Sequence, residues 1–164
     1  MIHTIRHPDP MIREIMPKFV FAEPSHDPIA LAHDLAQTML ENNGLGLASN
    51  QMGIPVRAFA IKAEQIIVCF NPIIVDSSEE QVYLDEGCLS FPGLIVKVKR
   101  PATIKVRYTE PNANVVTKEF GGMTARVFQH ELDHLDGITF MNRASTLHKN
   151  QALARQKKLQ RKYK

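Results

Sequence analysis

Apolar positions repeat with two periods along this chain, helical at both ends and strand-like in between. In PIALAHDLAQTMLENN, residues 28–43, Ile29, Leu31, Ala32, Leu35, Ala36, Met39 and Leu40 recur at the spacing of one helix face. Asp27 before Pro28 suits an N-cap and a first helical position, and Gly44 reads as the residue that closes the helix. The period then shortens to two. VRAFAI, IIVCFNPIIV, QVYLDEGCLS, LIVKVKR and TIKVRYTE are rich in Val, Ile and Tyr, and Pro, Asn or Gly separates them, as in strands of antiparallel sheets. EPSHDP and TEPNAN read as loops. Around FQHELDHLDG, residues 128–137, the helical spacing returns. Val127 shares a face with the histidines while Phe128, Leu132 and Leu135 lie opposite, so this helix runs through the middle of the fold and stops at Gly137. The last segment, RASTLHKNQALARQKKLQRKYK, consists of good helix formers behind a Ser145 cap, with a thin stripe of Leu147, Leu153 and Leu159. The class is α+β, with an N-terminal and a C-terminal helix.

Length and composition narrow the picture. At 164 residues the chain is one domain, long enough to bury a core without disulfides. No apolar run approaches the roughly 20 residues that span a bilayer, so no membrane role is expected. The net charge of +3 is unevenly spread: from Arg143 onward there are eight Lys or Arg and no acid, leaving 12 basic against 17 acidic residues before it. A basic tail on an acidic body is either a solvated terminal helix or a surface for polyanions, of which RNA is the obvious one.

The candidate chemistry starts in the central helix. His130 and His134 are four residues apart, so both imidazoles project from one face and can hold one metal ion. Glu131 between them is placed to take a proton from a water activated by that ion, the logic of H-E-x-x-H. The bland alternative is a pair of ordinary histidines on an amphipathic helix. A third ligand must come from upstream, because His148 is the only later histidine, no Glu follows Glu131, and Asp136 is too close along the helix to swing round.

Cys88 in DEGCLSFPG is the best candidate, since a thiolate is a strong ligand for first-row divalent metals and Gly87 lets backbone approach closely. Cys69, in the apolar run IIVCFNP, reads as a small core residue, and a Cys69–Cys88 disulfide is the competing reading for both. GLGLASNQ, residues 44–51, lacks the third glycine of G-x-G-x-x-G and the G-K-[ST] of a P-loop, so a phosphate cradle is excluded and a glycine-rich turn closing the helix is the plain reading.

GLGLASNQ, EGCLS (residues 86–90) and QHELDHLDG (residues 129–137) resemble, in the same order, the three signature motifs of the peptide deformylases. The likeness extends to HPDPMIRE, NQMGIPVR and FPGLIVKVKRP and covers most of residues 3–143. Ser49 stands where the family usually has alanine, a change between small residues from which little consequence is expected. The resemblance implies antiparallel sheets enclosing the metal helix, a catalytic domain over residues 1–143 and a basic helix or tail over 144–164.

It further implies a hydrolase that removes the N-formyl group from the initiator formylmethionine of nascent polypeptides. Cys88, His130 and His134 would hold one divalent metal, Fe(II) with Zn, Ni or Co as substitutes. Glu131 would be the base, and the Gln51 amide with the Leu89 backbone N–H would meet the oxyanion. Leu45 and Val127 would wall the methionine pocket, and backbone at Gly46 and Gly87 would pair with the peptide. The basic tail would dock at the ribosome, the chain would act as a monomer, and with no signal-like segment before His3 the setting would be a bacterial-type cytoplasm, a phage-encoded or mature organellar chain fitting as well. Two rivals stand beside this reading. A zinc endopeptidase shares the metal helix, though an upstream Cys argues against it; an RNA-binding protein with a structural metal would need neither Glu131 nor Gln51.

Overall fold

A computed structural model describes Met1, His3, Ile5 and residues 9–162. His7 and Pro8 of the HPDPMIRE stretch and Lys164 of the basic tail lie outside the described residues. The first helix, α1 (Pro28–Glu41), is capped by Asp27, whose Oδ1 accepts from the Ala30 N–H at 2.7 Å, a bond that contributes about 1 kcal/mol. Leu31, Ala32, Leu35 and Met39 are buried on its inner face, while Ile29 and Leu40, expected in the same stripe, are exposed. The helix closes one residue earlier than the glycine suggested. Asn43 takes the left-handed position with φ 56°, and its N–H and that of Gly44 bond back to the Leu40 and Met39 carbonyls. Gly44 instead leaves room for a neighbour: a Cβ there would lie 2.7 Å from Leu89 Cδ1, which would have to shift.

Seven strands follow, β1 (Gly46–Ala48), β2 (Ala58–Lys62), β3 (Ile66–Ser77), β4 (Gln81–Cys88), β5 (Phe91–Pro101), β6 (Thr103–Thr109) and β7 (Val115–Gly121). An antiparallel five-stranded sheet has the order β1-β2-β3-β6-β7, and β4 pairs with β5 in a separate hairpin. Strand β2 is apolar up to its exposed last residue, Lys62, because it is covered on both faces. Ala58 and Ala60 join the cluster under α1 with Leu35, Met39, Leu47 and Phe70, whereas Phe59 and Ile61 join Phe128 and Leu135 on the other side. In β5 and β6 burial alternates, as expected for strands with one face inward.

The metal-candidate helix, α2 (Gly122–Leu135), lies between the two sheets. One side carries Phe128, set edge-on to Phe59 with ring centroids 5.0 Å apart. The other side reaches β4–β5 through polar bonds: Arg126 donates to the Val98 and Val82 carbonyls and Gln129 to the Pro101 carbonyl. Gly137, at φ 71°, ends the helix as expected, and a Cβ there would meet the Arg13 carbonyl oxygen at 2.6 Å. A one-turn helix, α3 (Phe140–Arg143), leads to α4 (Thr146–Lys162), which Ser145 caps by accepting from the His148 N–H. Leu147, Leu153 and Leu159 are exposed, so the expected stripe is not the packing face; Ala152 is the buried residue of α4, against Leu94, Val96 and Val98 of β5. Among the described residues no helix is long and apolar enough to cross a membrane.

Candidate metal centre

Helical spacing puts His130 and His134 on one buried face of α2, with ring centroids 5.0 Å apart. The last residue of β4 faces them: Cys88 Sγ is 3.2 Å from His134 Nε2, and the three donor atoms lie within 4.8 Å of one another. Cys69 is fully buried in the sheet core and both cysteines are free, which removes the disulfide reading. One sulfur and two imidazole nitrogens can hold a first-row divalent ion and leave a fourth position for a reactant. The surroundings fit such an ion. His130 Nδ1–H donates to Glu86 Oε1 at 2.9 Å, so Nε2 is the nitrogen left to face an ion, which would take the place of a proton there.

The donors lie at a cavity of about 440 Å³. Cys88, His130, Glu131, Gln51, Leu45, Gly46, Gly87, Leu89 and Val127 all line it, whereas His134 sits behind its wall. Leu45 is about half exposed at the mouth, and Val127 is buried. Phe91, Leu94, Ile95 and Met123 complete an apolar lining not anticipated from sequence. Glu131 is buried, and among the described residues its Oε2 has no hydrogen-bond partner, an arrangement that costs free energy unless a ligand uses the atom. Gly46 permits this: a Cβ on it would lie 2.3 Å from Glu131 Oε1.

Gln51 is fixed at both ends of its amide. Oε1 accepts from the Ala48 N–H at 2.9 Å, and Nε2 donates to Ser90 Oγ at 3.0 Å, with Cys88 Sγ 3.6 Å away. The neighbouring Asn50 Nδ2 donates to the His134 carbonyl at 2.7 Å, tying this turn to the end of α2. The Ser49 hydroxyl donates to the Val56 carbonyl, so serine there secures the turn instead of being a neutral exchange for alanine.

A buried ionic chain supports the site. Arg100 donates to Glu86 through Nε at 2.7 Å and Nη2 at 2.9 Å, and to Asp133 through Nη1 at 2.8 Å. Arg126 Nη1 adds a bond to Glu86 at 2.8 Å, and Arg143 grips Asp133 with Nε at 3.0 Å and Nη2 at 2.6 Å. Burial alone would raise the Glu86 pKa, but hydrogen bonds from His130 and Arg100 outweigh it and hold the carboxyl well below its usual range. Burial would likewise depress His130, yet its bonds to Cys88 and Glu86 raise it to about 10. His134 is lowered by burial and by the charges of His130 and Arg100. Burial raises Glu131 to about 7.

Sequence reasoning had no role for Glu86, Arg100, Arg126 or Asp133. One signal was available: Arg100 follows Leu94, Val96 and Val98 at intervals of two, so the pleat carries it to the inner face, where a charge needs partners.

A family model described as polypeptide deformylase matches residues 1–150. A peptide deformylase of Brucella suis is 37% identical over 161 residues, covering 93% of this chain and 89% of that protein. One from Rhizobium meliloti is 35% identical over 154 residues, with 90% and 87% covered. Among solved structures, a peptide deformylase from Legionella pneumophila superposes with TM-score 0.86 at 30% identity, covering 98% of this chain and 96% of the other. One from Synechococcus elongatus in complex with actinonin gives 0.86 at 30% identity, covering 94% and 85%.

Proposed function

The chain belongs to the polypeptide deformylase family, and on that premise we propose that Cys88, His130 and His134 hold one divalent metal beside which Glu131, Gln51 and the Leu89 backbone act on a formyl group. The enzyme is a metal-dependent hydrolase that removes the N-formyl group from nascent polypeptides. The observation that carries the assignment of residues is the convergence of three donor atoms within 4.8 Å, beside a buried carboxylate with an oxygen that has no hydrogen-bond partner among the described residues, on one apolar-lined cavity.

A divalent ion held there supplies Lewis-acid polarisation of the formyl carbonyl and lowers the pKa of water toward neutrality. Glu131 takes a proton from the attacking water, a task suited to a carboxyl that lines the cavity and is buried beside the three donors. As the tetrahedral stage develops, the formyl oxygen gains charge. Gln51 Nε2, held by Ser90, and the Leu89 N–H donate to it. Glu131 then delivers its proton to the departing amine, leaving formate and a free amino terminus. Val127 and Leu45 wall the apolar space for the methionine side chain, while Gly46 and Gly87 offer backbone for strand-like pairing with the peptide.

Fe(II) is the proposed ion, because thiolate and imidazole serve iron and zinc alike and the family resemblance favours iron. Formate release from formyl-Met-Ala-Ser by anaerobically purified, Fe(II)-loaded protein, with metal content measured on the same sample, tests the assignment. A fully metallated, folded protein that released no formate would refute it. Residues 1–143 are proposed as the catalytic unit of a monomer working in a bacterial-type cytoplasm. The basic residues of α4 are proposed to contact ribosomal RNA; unchanged ribosome co-sedimentation at low salt after deletion of residues 144–164 would refute that.

A further inference from the structure

The ionic chain behind His130 does not end inside the fold. It runs from His130 Nδ1 to Glu86, from Glu86 to Arg100, from Arg100 to Asp133, and from Asp133 to Arg143, which is the last residue of α3 and is 47% exposed at its side chain. The same helix touches His130 by a second route. The Phe140 ring lies 5.7 Å from the His130 ring and 5.7 Å from that of Phe91.

Two carboxylates compete for Arg100. Asp133 is buried, and its Oδ1 is met by Arg143 while its Oδ2 is shared by Arg143 and Arg100. With Arg143 in place Asp133 needs only Nη1 of Arg100, which leaves Nε and Nη2 for a two-pronged grip on Glu86. Without it, a buried carboxylate loses most of its compensation and draws on Arg100, at the expense of the group that orients His130.

We propose that Arg143, with Phe140 on the same helical turn, is a positioning residue for the metal site, acting through Asp133, Arg100 and Glu86 on the orientation of His130. Retention of the metal then depends on the seating of α3, a segment remote in sequence from Cys88. The inference rests on the metal assignment made above.

The test uses the full chain loaded with zinc and measures transfer of the ion to a chromophoric chelator, together with the ligand-field spectrum of cobalt-loaded protein. Loss of an outer partner of a metal ligand weakens metal binding about 10- to 100-fold, and Arg143→Met, one link further out, is expected to speed zinc release about tenfold and shift the cobalt bands. Arg143→Lys keeps the charge without the fork, so intermediate release is expected, and this variant decides the matter if Arg143→Met does not fold. Release rates and cobalt spectra equal to the parent's, with only the unfolding midpoint of the metal-free protein lowered, would reduce Arg143 to a fold contact and overturn the proposal. Cys88→Ala and His130→Ala separate the two levels: if they still bind one zinc as the parent does, the metal assignment fails; if they lose it while Arg143→Met releases zinc at the parent's rate, only this inference fails.

Discussion

Gly46 and Glu131 approach so closely that a single methyl group on the glycine would sit 2.3 Å from a carboxylate oxygen. The backbone of β1 is therefore the wall that sets where Glu131 can lie. Gly46→Ala is expected to displace the carboxylate by a fraction of an ångström to an ångström and lower kcat by about 100-fold, with metal content unchanged. Kinetics and metal analysis on one sample check this.

Glu131 and His134 are neighbours on one helix with separate tasks. Glu131→Ala should cost about 10²- to 10⁴-fold in rate yet keep its metal. His134→Ala should lose the metal. Equal loss of metal in both variants would make Glu131 a structural residue.

The Gln51 amide is held in one orientation by Ala48 and Ser90. Removing one oxyanion donor costs about 3 kcal/mol, so Gln51→Ala is expected to reduce kcat by roughly 100-fold and leave KM within a few-fold. A defect confined to KM would assign Gln51 to substrate binding alone.

Metal removal should expose one thiol and not the other. Burial raises the Cys69 pKa and excludes reagents from it, whereas Cys88 lines the cavity. A thiol reagent is expected to label a single residue rapidly after chelator treatment and none in the loaded enzyme. Persistence of the rapid phase in Cys88→Ser would contradict this.

Acid should act through Glu86. Its folded pKa lies below the ordinary 4.5, so its contribution to stability is complete above about 4.5 and shrinks as pH falls toward the folded value. In metal-free protein, the difference in unfolding free energy between the parent and Glu86→Gln should be flat down to about pH 5.5 and narrow below about 4.5. Urea unfolding across that range measures it, and a constant gap would show that the ion pairs of Glu86 do not matter to the fold.

Much of this architecture was written in local pattern. The Asp27–Pro28 start of α1, the Gly137 stop of α2 and five of the strands follow from signals a few residues long. The ligand pair on α2 follows from spacing and Cys88 from the need for an upstream thiolate, while the likeness to deformylases added the roles of Gln51 and Leu89. Two strands escaped. β1 lies inside a glycine-rich run of only three strand residues, and β7, in VVTKEFG, carries charges on a largely exposed edge. Asn43, not Gly44, takes the left-handed position at the helix end because Asn tolerates that conformation, while Gly44 leaves room for the Leu89 side chain. The ionic chain was hidden for a different reason: its members come from four elements, and no short window of sequence contains two partners.

The β4–β5 hairpin turns in two residues, Leu89 and Ser90, between Cys88 and its pairing partner Phe91. Leu89 packs into the cluster under α1 and Ser90 is buried against Gln51. Connections between strands are ordinarily where a lineage gains and loses residues most freely. Here one added residue would rotate the thiol, the Leu89 N–H and the Ser90 hydroxyl out of register together, so this two-residue loop has lost the freedom to change length that loops usually have.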